Sequence, residues 1–291
     1  MKVGYYPGCS LLGTAKPYDT STRYVCQAIG LELEESPDWT CCGASPALKM
    51  NNLLSVSLAA RNLALIEKTD VTDVVAPCPF CSRRLKNANE ELDVDPELKK
   101  KVLEVTGLQI AGKLSVHNLF AFIRSHIGLE AIRSRVRMPL KNVQVIPYYG
   151  CYVAEPGGAS DESDPKNPTS LDEIMRALGA TVLDWDFKTE CCGAALALTK
   201  TEKVLELSGR IIREAEWRGA DLIVVVCPLC QANLDTRQGD INSRQKTRHE
   251  IPVVYFTQLI GLAMGLSPSK LELNHHMIDL LPVLRKKGFL A

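Results

Sequence analysis

The sequence predicts an α/β protein made of two pseudo-symmetric domains, each a small, mostly parallel sheet flanked by helices. Three observations predict it. The chain of 291 residues repeats itself once along its length. In each copy short β-branched runs alternate with longer helical stretches, the order that gives parallel sheets. Hydrophobic residues make up 46% of the chain and charged residues 23%, which suits an ordinary buried core.

The duplication is read from matched segments. YYPGCS at 5–10 answers YYGCYV at 148–153, CCGASPAL at 41–48 answers CCGAALAL at 191–198, and CPFC at 78–81 answers CPLC at 227–230. VHNLFAFI at 116–123 and VYFTQLIG at 254–261 share a weaker pattern. The offsets are 142 for the first cysteine, 150 for the cysteine pair and 149 for CPxC. An insertion in the second copy, GGASDESDPKNP at 157–168, covers most of the difference. The spacing predicts domains over 1–135 and 136–291, with a tail from about Leu266.

The elements follow in order. Val3–Tyr6 and Val143–Tyr149 are apolar runs that end in Gly-Cys turns. Helices are expected over Tyr18–Gly30 and Ser170–Gly179, the second with Thr169 or Ser170 as N-cap and Gly179 as C-cap. Long helical stretches follow each CCG, over Leu48–Lys68 and Ala195–Arg218. The β-branched runs Val71–Ala76 and Leu222–Val226 read as strands, and each leads into a CPxC that opens a helix. The first cysteine and the CPxC then lie at the carboxyl ends of strands, where such folds place their functional residues.

Charge excludes some functions. Thirty-four basic residues balance thirty-four acidic ones, leaving no electrostatic footprint for nucleic acid or an anionic membrane. No apolar run approaches the roughly 18 residues of a spanning helix. The start, MKVGYYPGCS, has no apolar core of a signal peptide, so a cytoplasmic protein is expected.

Eleven cysteines remain to be explained, an odd number in a compartment that disfavours structural disulfides. Metal ligation or redox chemistry is the better reading. In CPxC at a helix start, positions i and i+3 face one side, so two thiolates reach one site. Pro79 and Pro228 suit the first turn, and the helix amides favour negative charge there. The adjacent pairs Cys41–Cys42 and Cys191–Cys192 serve one site only if the backbone turns sharply, which Gly43 and Gly193 permit. A zinc ion or a cubane cluster takes four ligands, whereas each copy offers five cysteines. Two zinc sites that staple the repeats are the alternative. Cys26 has no counterpart in the second copy and reads as a small buried hydrophobe.

The pattern C-x31-CC-x35-C-x2-C (Cys9, Cys41, Cys42, Cys78, Cys81) and its second copy C-x39-CC-x34-C-x2-C (Cys151, Cys191, Cys192, Cys227, Cys230) resemble the cysteine-rich CCG domain. The tandem arrangement is similar to the B-type subunits of heterodisulfide reductase from methanogenic archaea. The resemblance implies two noncubane 4Fe-4S clusters, one on each set of five cysteines, which would carry catalysis. It implies reduction of the mixed disulfide of coenzyme M and coenzyme B to two thiols. It also implies partners: a C-type subunit with cubane iron–sulfur clusters, an A-type flavoprotein, and a hydrogenase or formate dehydrogenase beyond them. This chain has no ferredoxin-type C-x2-C-x2-C-x3-C run, so it resembles the separate component of the soluble complex.

Other readings stay open. A CCG component of a lactate-, glycolate- or fumarate-linked complex is one, and a zinc-stapled interaction protein is another. His117, His126, His249, His275 and His276 are candidate proton donors, and Arg83, Arg84 and Lys188 candidate anchors for an anionic substrate. The arginines of 124–137 and the RKK at 285–287 read as solvated or partner-facing. A pseudo-twofold axis would set the two cysteine sets across a common cavity, lined by the turns around Cys9, Cys41–Cys42, Cys151 and Cys191–Cys192.

Overall fold

β1 (Lys2–Tyr5) buries Val3, Gly4 and Tyr5 at the centre of a four-stranded parallel sheet ordered β2-β1-β3-β4. The other strands are β2 (Glu32–Glu35), β3 (Asp73–Ala76) and β4 (Ser115–Asn118). The computed structural model describes residues 1–44, 46–154, 162 and 164–290. A second sheet, ordered β6-β5-β7-β8, repeats the topology with β5 (Gln144–Tyr148), β6 (Thr181–Val182), β7 (Leu222–Val225) and β8 (Val253–Tyr255). All pairings are parallel, and the register sets Tyr5 beside Val75 and Tyr148 beside Val225. Two pseudo-symmetric α/β units are therefore present, as the repeat predicts.

Central strands are mostly apolar because helices cover both faces. β7, LIVV, is buried at all four positions. The edge strand β2, ELEE, is half-exposed and supported from outside: Lys2 pairs with Glu34 at 3.3 Å, and Trp39 donates to Glu35 at 2.9 Å. Three glutamates in four residues hid this strand from propensity.

In the first unit the helices are α1 (Cys9–Leu12), α2 (Lys16–Ile29), α3 (Pro46–Met50), α4 (Asn52–Ile66), α5 (Pro79–Val94), α6 (Pro96–Thr106), α7 (Leu119–Phe122) and α8 (Leu129–Arg133), with a π-helical turn at Ile123–Ile127. In the second they are α9 (Cys151–Ala154), α10 (Ser170–Ala177), α11 (Thr201–Trp217), α12 (Pro228–Thr236), α13 (Gln238–Gln245), α14 (Phe256–Ala263) and α15 (Leu281–Lys286). The stretch expected as one helix over Leu48–Lys68 divides into α3 and α4. Asn51 is extended there, and its side chain accepts from Leu54 N, which starts a new helix. Ala195–Arg218 likewise divides into a 3₁₀ turn at Ala194–Leu196 and α11. Thr169 makes no side-chain cap, whereas Gly179 is left-handed just past α10 as expected. Residues 157–161 and 163 of the insertion lie outside the described residues.

The units pack through α2 and α14. Tyr18 stacks on Tyr255 with ring centroids 4.3 Å apart, and the hydroxyls of Ser21 and Thr257 meet at 2.7 Å. Phe256 and Phe120 pack edge-on beside them. Such ring pairs add about 0.5–1.5 kcal/mol each beyond their buried area. No helix among the described residues is long and apolar enough to cross a membrane.

Candidate metal centre

Each cysteine set is assembled by three chain segments at the carboxyl end of its sheet. β1 delivers Gly8-Cys9 and β5 delivers Gly150-Cys151, each cysteine opening a short helix. β3 and β7 deliver Cys78 and Cys227 to the N-cap positions of α5 and α12, with Pro79 and Pro228 in the first turns. Cys81 and Cys230 follow one turn on. The loops after β2 and β6 bring the adjacent pairs from the side.

The segments touch. Cys42 Sγ lies 3.4 Å from Cys81 Sγ, and Cys192 Sγ lies 3.5 Å from Cys230 Sγ. Cys41 lies near enough to Cys9, and Cys191 to Cys151, to push the first thiol of each set up. Gly43 N donates to Cys41 Sγ at 3.5 Å, and Gly193 N to Cys191 Sγ at 3.3 Å. Both of these glycines are left-handed, at φ 73° and 82°, the sharp turn that lets neighbouring cysteines serve one site. Gly8 and Gly150 meet a second constraint. A Cβ on Gly8 would lie 3.0 Å from Cys81 Sγ, and one on Gly150 3.1 Å from Cys230 Sγ.

Burial is graded alike in both sets. Cys42, Cys78, Cys81, Cys192, Cys227 and Cys230 are buried, Cys151 is half-buried, and Cys9, Cys41 and Cys191 are exposed. The sulfurs compete for protons. Hydrogen bonds from Cys42 and Cys9 push Cys41 down to about 2, and the same contact pushes Cys42 up to about 12. Burial pushes Cys227 up, while its thiol, hydrogen-bonded to Cys78, holds Cys78 well below the usual thiol range. The main causes of these shifts are burial, sulfur neighbours and backbone amides, with Asn233 on Cys192; no Lys or Arg is among them. Five thiolates cannot be held together on those terms. A polyvalent cation of soft character would supply the missing charge, so the donor set fits an iron–sulfur cluster.

The two sets adjoin at Cys78 and Cys227, close enough that each thiol shifts the other's pKa across the domain interface. The Tyr18 hydroxyl lies between the carbonyls just before them, 3.0 Å from Val226 O and 3.4 Å from Pro77 O. The short helix of each first cysteine packs on the CPxC helix of the other unit, α1 on α12 and α9 on α5. A cavity of about 220 Å³ opens beside this junction, on all five cysteines of the second set. Its other walls are Pro79 and Phe80 from the first unit and Tyr149, Tyr152, Ala194 and Ala195 from the second. The cavity expected between the Cys9 and Cys151 turns is thus one-sided: Cys9, Cys41 and Cys42 do not line it. Phe80 stacks on Tyr152 at 3.6 Å, with the Arg83 guanidinium over Tyr152 at 5.3 Å.

Two tyrosines belong to the site that motif reading missed. Tyr6 and Tyr148 stand three residues before the first cysteine of each set. Tyr6 donates to Thr40 O at 2.6 Å and Tyr148 to Glu190 O, the carbonyls preceding each cysteine pair. Burial, then the neighbouring sulfurs, push both phenols up. The signal was the tyrosine at the same place in both copies.

Other candidates lie elsewhere. Lys188 is buried and bonded to Asp172 at 2.9 Å, and Arg84 to Glu91 at 2.8 Å, so both are structural. Arg124 pairs with Glu173 and Lys287 with Asp221. The histidines bond Asp73, Ser125, Glu216, Glu272 and Gln258, and none lines the cysteine cavity. Cys26 is buried on α2, as its lone position suggested.

Comparison with known proteins agrees with this geometry. The cysteine-rich domain model CCG matches residues 3–86 and 145–235. The chain is 32% identical over 279 residues to the 8-methylmenaquinol:fumarate reductase membrane anchor subunit of Wolinella succinogenes, covering 96% of this chain and 97% of that one. It is 29% identical to the B subunit of the ferredoxin/F(420)H(2)-dependent CoB-CoM heterodisulfide reductase of Methanosarcina acetivorans, covering 98% and 96%. A protein of Archaeoglobus profundus, named as similar to the heterodisulfide reductase B subunit, is 31% identical, covering 93% of each. Among solved structures, a hypothetical protein from Helicobacter pylori shares the fold with a TM-score of 0.77 at 13% identity; this chain is 96% covered and spans 52% of that one.

Proposed function

Since the chain belongs to the CCG cysteine-rich domain family, we propose that it is the iron–sulfur component at which a multisubunit oxidoreductase reduces a disulfide to two thiols. The observation that carries this reading is the adjoining of the two cysteine sets, with the Tyr18 hydroxyl bridging the carbonyls just before Cys78 and Cys227. Cys9, Cys41, Cys42, Cys78 and Cys81 would hold one noncubane 4Fe-4S cluster, and Cys151, Cys191, Cys192, Cys227 and Cys230 the other. Such clusters supply single electrons and thiophilic iron when bound. Opening a disulfide takes two electrons and two protons and yields two thiols, which two adjoining sites match in number. Phe80, Tyr152 and Ala195 wall the cavity on the second set, and the Arg83 guanidinium over Tyr152 is suited to an anionic group.

The relatives named as heterodisulfide reductase B subunits make the mixed disulfide of coenzymes M and B the first substrate to test. Electrons would come from partners of the C and A types, cubane iron–sulfur and flavin, with a hydrogenase or formate dehydrogenase behind them, in the cytoplasm. The division of the units at residue 135 belongs to the same proposal. A second reading has its own support: the cavity wall is almost wholly apolar apart from sulfur, which suits a quinol, and one relative is named for a methylmenaquinol.

Anaerobic protein, reduced chemically and offered the mixed disulfide, should release two thiols per turnover. Release of none, with reoxidation by a menaquinone analogue instead, would move the conclusion to the second reading.

A further inference from the structure

The duplication leaves one groove filled and its twin open. In the second unit the edge strand β8 runs between α12 and α14, and residues 271–284 of the chain lie over it. Met277 N and Ile278 N donate to the Asp235 carboxylate at 2.7 and 3.1 Å. Gln258 donates to Leu271 O at 3.0 Å, and the His276 ring bonds Gln258 and Gln231. Leu271, Leu273, Leu280 and Leu284 are fully buried by this packing.

In the first unit the chain leaves instead of folding back. Beyond α7, the helix α8 packs on α10, and Arg124 pairs with Glu173 of the second unit at 2.9 Å. The equivalent groove lies along β4, an edge strand whose only strand neighbour among the described residues is β3. It is an open cavity of about 280 Å³, lined by Leu114–Asn118, by Ser82, Arg83 and Lys86 of α5, and by Ala121 and Ser125 beyond β4. Counting from the CPxC cysteines, Lys86 occupies the place of Asp235. Counting from the residues that start α7 and α14, Ala121 occupies the place of Gln258. The anion that caps two backbone amides in the filled groove is therefore a cation in the open one. A segment lying here must present acceptors where the tail presents N–H groups.

We propose that this groove docks an extended acidic segment of a partner polypeptide, lying along β4 with carboxylates against Lys86. Sheet-edge addition supplies backbone bonds, and the charge pair supplies direction. Glu90, also on the lining, sets the acidic end of the segment toward Lys86 and away from itself. The inference rests on the duplication and the charge reversal, and does not depend on which substrate the cysteine sets serve.

The test is selection of a random dodecapeptide display library on the cluster-loaded full chain, with the Lys86→Glu variant as a parallel bait. Peptides enriched in Asp and Glu are expected on the unmodified chain. Synthesised singly, they should bind the Lys86→Glu variant at least about tenfold more weakly and Lys86→Met by an intermediate amount. Amide exchange at Ser115–Asn118 should slow when such a peptide binds. Equal melting of the variants separates lost binding from lost folding. Peptides without acidic bias, equal binding to all three proteins, protection away from β4, displacement by a second copy of the chain alone, or no selected peptide would each overturn the proposal.

Discussion

Replacing Gly8 with alanine should empty the first cysteine set while leaving the second filled. Gly8 sits at φ 74°, ψ 164°, a region essentially reserved for glycine. An alanine there costs about 1–3 kcal/mol in backbone strain alone. Its Cβ would also lie 3.0 Å from Cys81 Sγ, roughly 0.5–1 Å inside an ordinary contact. Cys81 cannot give way freely, because it is buried and its sulfur lies 3.4 Å from Cys42 Sγ. The displacement therefore passes to two cysteines of one set. Gly30→Ala is the matched control: φ is 79°, but nothing lies within 4 Å of the added Cβ. It should cost about 1–2 kcal/mol and leave the metal content intact. The assay is iron and acid-labile sulfide per chain after anaerobic purification, with a thermal melt of each variant. About four irons for Gly8→Ala against about eight for Gly30→Ala and the unmodified chain is expected. Full iron in Gly8→Ala, or equal loss in both, would refute the reasoning.

Three further outcomes are expected. Cys42→Ser and Cys192→Ser should each abolish the electron paramagnetic resonance signal of one set and spare the other, while Cys26→Ala changes neither; loss of both signals from one substitution would show shared ligands. Tyr18→Phe leaves the buried Val226 carbonyl without its donor and should cost about 1–3 kcal/mol in denaturant unfolding, with both sets still filled. Burial depresses the His276 imidazole to about 4, despite Asp235 at 3.9 Å and helped by the neighbouring His275. Between that value and its unfolded one near 6.5 the unfolded chain binds the extra proton, so stability should fall as pH drops from about 6.5 toward 4, by up to about 3 kcal/mol. His276→Gln, compared by unfolding at pH 7 and pH 5, should flatten that fall.

How much of the molecule was legible in its sequence varied with the physics involved. The duplication carried the fold, because two copies of one spacing give two copies of one sheet. The central strands announced themselves by apolar runs such as LIVV, buried on both faces. The edge strands did not: β2 is ELEE, and β4 and β8 run straight into helices, so neither shows a period of its own. Asn51 broke a helix that apolar content had joined, through a cap only three residues long. Cys42 meets Cys81 and Cys192 meets Cys230, since CPxC at a helix start and glycine after the cysteine pair are local geometry. What local geometry cannot give is how two units face each other. The Tyr18 hydroxyl between two carbonyls and the walling of the second set by Phe80 are long-range facts without a motif. The basic residues misled for the opposite reason: Arg84 and Lys188 lie near the cysteines in sequence, yet each is committed to a carboxylate.

The central claim is that two adjoining iron–sulfur sites share one chain, and low-temperature electron paramagnetic resonance of the anaerobic protein, with metal and sulfide counted on the same sample, tests it most directly. About eight irons and eight sulfides per chain are expected. Two signals that broaden each other when both sites are paramagnetic are expected as well, because one tyrosine hydroxyl bridges the carbonyls before Cys78 and Cys227. Zinc without sulfide in both sets, or two signals that never interact, would contradict it.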